Sequence, residues 1–146
     1  MQLETVAVIP ELLTRGVWWD FETKEACRPK TEPHSSHLCF LVVPFGPDHA
    51  RALDELRLPH LDDIRANKGK LPDDIAATIR GAALARTVLK DWRNAEVGGA
   101  PFPYSDENAR ELMTAAKWTF LRRFVESAAA NEFELLAGEE AKAKGN

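Results

Sequence analysis

TVLKDWRNAEVGGAPFPYSDENARELM, residues 87–113, decides how this chain is read. It reads as a helix ending on an apolar tryptophan, Trp92. A polar loop with Gly98, Gly99, Pro101 and Pro103 follows, and Tyr104-Ser105-Asp106-Glu107 opens a second helix. Ser105 has the side chain of an N-cap, whose oxygen satisfies an otherwise orphaned amide. Asp106 and Glu107 then place negative charge at the positive end of the helix dipole. The stretch sets geometry between helices and carries no reactive group, which points to an assembly or binding protein rather than an enzyme.

Upstream, Pro72-Asp73-Asp74 starts the first of these helices. Ile75, Ile79, Ala82, Ala85, Leu89 and Trp92 follow helical spacing, so the spacing predicts a helix over 72–92. Gly81 costs such a helix about 1 kcal/mol relative to alanine, unless it admits a close neighbour. Downstream, Ala109, Leu112, Met113 and Ala116 form an apolar side. Trp118, Leu121, Val125, Ala129, Phe133 and Leu136 continue it, with Phe120 and Phe124 flanking the stripe. Whether the chain bends over 114–117 is not decided by the pattern.

The first third leans to strand. Val6-Ala7-Val8-Ile9 forms a short strand candidate stopped by Pro10, VWWDF (17–21) a second, and HLCFLVV (37–43) a third, closed by Pro44. The polar, proline-bearing 22–37 segment is too short for a confident crossover helix, so an antiparallel sheet or hairpin is expected. Adjacent strand residues face opposite ways. Trp18 and Trp19 therefore cannot share one core, and one of them is either covered by another element or presented at a contact surface. A short helix follows Pro47-Asp48, with Ala50, Ala52, Leu53 and Leu56 on its stripe, and residues 58–71 read as a mobile loop. The fold class is α+β: one domain over 1–146, with a β-rich part (1–45), a helical part (46–137) and a charged tail (138–146).

Composition narrows the function. Apolar residues make up 45% of 146, enough for a core without staples, and the net charge of −4 argues against a general nucleic-acid binder. No apolar run nears the roughly 20 residues of a membrane span, and the N-terminus lacks a basic signal-peptide region. The expected compartment is the cytoplasm. Cys27, His34, His37 and Cys39, spaced C-x6-H-x2-H-x-C, are zinc-type ligands at a spacing foreign to the common fingers. The opposing view is a polar loop with two incidental histidines, and a cysteine buried as a small hydrophobe. Neither cysteine sits in a nucleophile signature, Ser35-Ser36 lacks a G-x-S-x-G elbow, and Gly98-Gly99 belongs to no phosphate loop. Asp62-Asp63, Asp73-Asp74 and Glu139-Glu140 read as surface charge, and Arg122-Arg123 as a solvated face. No catalytic residue, cofactor site or metal site is assigned.

The order RGVWWDF (15–21), ALDELR (52–57), ARTVLKDWRN (85–94) and PYSDENARELM (103–113), with Phe133 near the helical end, resembles the tail assembly chaperones of long-tailed bacteriophages. The likeness covers roughly residues 15–135. Its most specific part is carried by Leu89, Trp92, Asn94, Gly99, Pro103, Tyr104, Ser105, Glu107, Asn108, Ala109, Leu112 and Met113; the 22–37 segment has no counterpart in that pattern. The resemblance implies a non-enzymatic protein of the host cytoplasm that binds the helical tape-measure protein and assists tail-tube assembly. The tail-tube protein is then a second partner, and self-association an open alternative. The runner-up readings are a head–tail connector or minor tail protein, and a small protein-binding regulator. Aromatics left outside a core are typical anchors for a partner, so Trp18, Trp19, Phe120 and Phe124 are the expected contact residues. Trp92, Tyr104, Ser105 and Phe133 are the expected structural ones.

Overall fold

The computed structural model describes residues 14–144, with side chains described as far as residue 131. The Val6–Ile9 strand candidate, the side chains of Phe133 and Leu136, and the end of the charged tail lie outside the described residues.

The fold is α+β. Strands β1 (Val17–Asp20), β2 (Glu25–Ala26) and β3 (Cys39–Val42) lead into helices α1 (Pro47–Arg57), α2 (Leu61–Ala66) and α3 (Asp73–Thr87). Then come β4 (Leu89–Arg93), a small hairpin of β5 (Glu96–Val97) and β6 (Ala100–Pro101), and helices α4 (Asp106–Thr114) and α5 (Thr119–Lys144). The main sheet is antiparallel in the order β2-β1-β3-β4.

The pleat divides the sheet into two buried faces. Val17, Trp19, Phe40, Val42, Leu89 and Trp92 meet Leu84 and Val88, then Leu112 and Met113 of α4 and Val125 and Ala128 of α5, in the main core. The alternate residues Trp18, Cys39 and Leu41 form a second cluster with Cys27 on the far face. The two adjacent indoles therefore do point opposite ways, and both are covered, at 6% and 8% exposure. The 25–37 segment folds back over Trp18, which exchanges backbone bonds with Lys30 and Cys27 (Trp18 N–H to Lys30 O, 2.9 Å; Cys27 N–H to Trp18 O, 2.8 Å). The guanidinium of Arg93 lies 5.5 Å from the Trp18 ring.

The helix expected over 72–92 stops at Thr87, and Trp92 stands on a strand. The register with β3 explains why the pattern misleads. Leu41 pairs with Asp91 and Val42 with Leu89, which leaves Lys90 as the extra residue of a β-bulge. One extra residue reverses the alternation, so Leu89 and Trp92, three apart, both face the core as they would on a helix. The helical part of the chain thus contributes one of the two edge strands of the sheet. Trp92 is held there by the returning segment: its Nε1–H donates to Phe102 O at 2.7 Å, and its ring contacts those of Phe102 and Tyr104.

Gly98 and Gly99, both at positive φ, form the two-residue turn of the small hairpin. Ser105 caps α4 as expected, accepting the Asn108 N–H at 3.0 Å. The chain bends after α4, where Ala115 is extended and a 3-10 turn (Ala116–Trp118) leads into α5. Gly81 admits a very close neighbour: a Cβ there falls 2.0 Å from the carbonyl oxygen of Met113, so α3 and α4 cross backbone against backbone. The expected loop over 58–71 is instead a 3-10 turn (Leu58–His60) and helix α2, followed by a turn at 67–69. Asp62 and Asp63 supply that helix with first-turn charge, a start signal the proline and glycine of the segment obscured.

Candidate functional site

Where the β1–β2 turn meets α5, the fold leaves an aromatic cleft of about 420 Å³. One wall is the α5 face bearing Phe120, Arg123, Phe124, Ser127, Ala128 and Asn131, spaced at three and four residues as one helical stripe. The other is Trp19 at the end of β1, with Phe21 and Lys24 from the turn. Phe21 and Phe124 meet edge to face at 5.2 Å, and Phe124 also reaches Phe40 in the core. Among the described residues Phe120 is the most exposed of the large apolar side chains, ahead of Leu58 at 61%: at 77% exposure it stands at the mouth of the cleft with most of its ring in water.

The turn is organised by one buried carboxylate. Asp20 Oδ1 accepts the N–H groups of Glu22 (2.8 Å) and Thr23 (3.2 Å), an Asx-type turn, and Asp20 O accepts the Lys24 N–H at 2.8 Å. Lys24 takes the left-handed conformation, φ 63°. Its ammonium lies 3.1 Å over the Phe21 ring and 5.4 Å from that of Phe124. Oδ2 of Asp20 pairs with His37 Nδ1 at 2.8 Å. Burial pushes the Asp20 carboxyl upward, but the His37 bond and the two turn amides outweigh it and hold it below its ordinary value. Bonding to Asp20 raises the His37 imidazole above its own. Asn94, itself at positive φ, donates to the carbonyls of His34 (3.2 Å) and His37 (2.9 Å) and pins that loop to the end of β4.

Of the four expected contact residues, Trp19, Phe120 and Phe124 come together at this cleft, while Trp18 lies on the opposite face of the sheet. Of the two alternatives for the paired indoles, cover by another element holds: the 25–37 segment lies over Trp18, and Trp19 lines the cleft while remaining buried. Phe21, Lys24 and Arg123 were not expected here. Arg123 follows from the Phe120 spacing, whereas Phe21 and Lys24 depend on a turn that a distant histidine completes. The doublet is also not one solvated face: Arg122 is buried and pairs with Glu126 at 3.2 Å, and only Arg123 is exposed.

The zinc-type residues divide into separate pairings. Cys27 and Cys39 are buried free thiols, 3.7 Å apart. Burial drives the Cys39 thiol up to about 12, far from a reactive thiolate. His34 Nδ1 accepts the amides of Ser36 and His37, both at 3.1 Å, and its ring stacks on that of His37. Among the described residues no group of three or more ligand-type side chains stands together around a metal position. Nor is any described helix long and apolar enough to cross a membrane.

A profile of a family described as YdaY prophage protein matches residues 46–146. Neither a curated protein nor a solved structure matches the chain.

Proposed function

This chain belongs to the YdaY prophage protein family, which makes it phage-derived, and from the sequence resemblance together with the aromatic cleft we propose that it is a tail assembly chaperone that grips the phage tape-measure protein there. The observation that carries the reading is Phe120, a large apolar side chain left 77% exposed beside a cavity floored by Phe21 and Phe124. Leaving such a ring in water forgoes roughly 2 kcal/mol of burial, which a bound apolar side chain recovers. A tape-measure protein presents apolar helical faces before assembly, and a groove on a rigid helix–sheet junction is suited to cover one of them. Phage origin and the resemblance carried by Leu89–Met113 support this choice of partner, and the cleft offers a surface for it. The protein contributes no chemistry and leaves before the particle is complete, so modest affinity is enough.

The test is co-expression with the tape-measure protein of the same prophage. The reading expects more of that protein in the soluble fraction and its recovery with this chain on purification. Neither rescue nor complex would remove the chaperone role.

A further inference from the structure

We propose that the cleft is selective for a partner segment that sets an aliphatic or aromatic side chain beside one or more carboxylates. The inference rests on the cleft being the partner-binding surface and adds the chemistry it reads there. Its floor, Trp19, Phe21, Phe124 and Ala128, is apolar, and its two charged lining residues, Lys24 and Arg123, are both cations. Among the described residues no carboxylate lines it. In a chain of net charge −4, that positive mouth is a local feature and not a reflection of the whole surface.

Both cations are available to an incoming anion. Arg123 is exposed and takes no part in the ion pairs of the described residues. Its planar fork suits bidentate contact with a carboxylate. Lys24 rests on the faces of two phenylalanines, an interaction that is weak at exposed sites and yields readily to a carboxylate. Its backbone is fixed by the Asp20 turn while its four-carbon stem swings, so it closes over a bound side chain without moving the fold. Ser127 and Asn131 extend the polar side of the same helix face. A segment flanked by lysine meets like charge at the mouth and is disfavoured, which is how a shallow apolar groove gains specificity.

The experiment uses the full chain and two synthetic amphipathic helices with the same Leu/Phe stripe, one flanked by glutamate and one by lysine, titrated calorimetrically. Two partly exposed charge contacts make the glutamate peptide bind roughly tenfold tighter, a preference that shrinks as salt is raised. The double variant Lys24→Glu/Arg123→Glu keeps its melting temperature, since both sites are on the surface, and reverses the preference. Equal affinities, a preference for the lysine peptide, or a preference unchanged in the double variant would overturn the proposal; so would the binding of neither peptide. The two readings separate cleanly. Loss of tape-measure capture with the peptide preference intact removes the named partner alone. Capture without any peptide preference removes the selectivity alone.

Discussion

Replacing Gly81 with alanine should destabilise this protein, although the same change in an isolated helix stabilises it. The added Cβ lies 2.0 Å from Met113 O, 2.7 Å from Met113 C and 3.2 Å from Thr114 Cα. All three are backbone atoms of the last turn of α4, so no side chain can rotate aside. The two helices must part by roughly 1 Å or more before the contact becomes ordinary. Parting them loosens Leu112 and Met113 in the main core, where both are buried. Overpacking of this kind costs about 3 kcal/mol, and the gain in helix propensity returns about 1. The net loss of about 2 kcal/mol lowers the melting temperature by roughly 4–8 °C in a chain of this size. Urea unfolding followed by circular dichroism reads the change, with Thr78→Ala on the exposed side of α3 as a control expected to stay within about 0.5 kcal/mol. A Gly81→Ala protein as stable as the parent, or more so, would refute the close crossing of α3 and α4.

The Asp20–His37 pair makes stability depend on pH at both ends. The depressed Asp20 contributes stability above its unfolded value of 3.8 and loses it as pH falls through the lower folded value. The raised His37 contributes fully below 6.5 and loses it as pH climbs through its higher folded value. Melting temperature measured against pH should therefore fall on the alkaline side of 6.5 in the parent and lose that slope in Asp20→Asn; parallel curves would sink the pairing. Trp18→Ala and Trp19→Ala should each cost about 3–5 kcal/mol, because each fills one buried face of the sheet. A full-length protein whose melting temperature ignores either change would place that indole at the surface. Trp92→Phe should cost about 3 kcal/mol in urea unfolding, from lost volume and an unpaired Phe102 carbonyl. A loss under about 1 kcal/mol would show that the indole N–H holds nothing in place.

Much of the architecture is legible in the sequence because its signals are local. Short runs of β-branched and aromatic residues mark β1 and β3, Ser105 marks the start of α4, and the doubled indole requires two faces while leaving open what covers the second. What the pattern hides is non-local. Leu89 and Trp92 mimic a helix turn only because Lys90 bulges out of β4, and a bulge is decided by pairing with Cys39–Val42, some fifty residues earlier. The candidate site divides the same way. Phe120, Phe124 and Arg123 share one helix face and can be found by spacing. Phe21 and Lys24 join them through a turn locked by Asp20 and His37, residues seventeen apart whose contact no periodicity reveals.

If the cleft at Phe120 holds the partner, removing that ring costs binding and spares the fold. The tape-measure protein of the same prophage is co-expressed with the parent chain and with Phe120→Ser, and the amount recovered on each is measured alongside the two melting temperatures. With Phe120 77% exposed, the account predicts melting temperatures that agree and recovery that falls by tenfold or so in the variant. Equal recovery on two equally stable proteins would contradict it and move the working surface elsewhere.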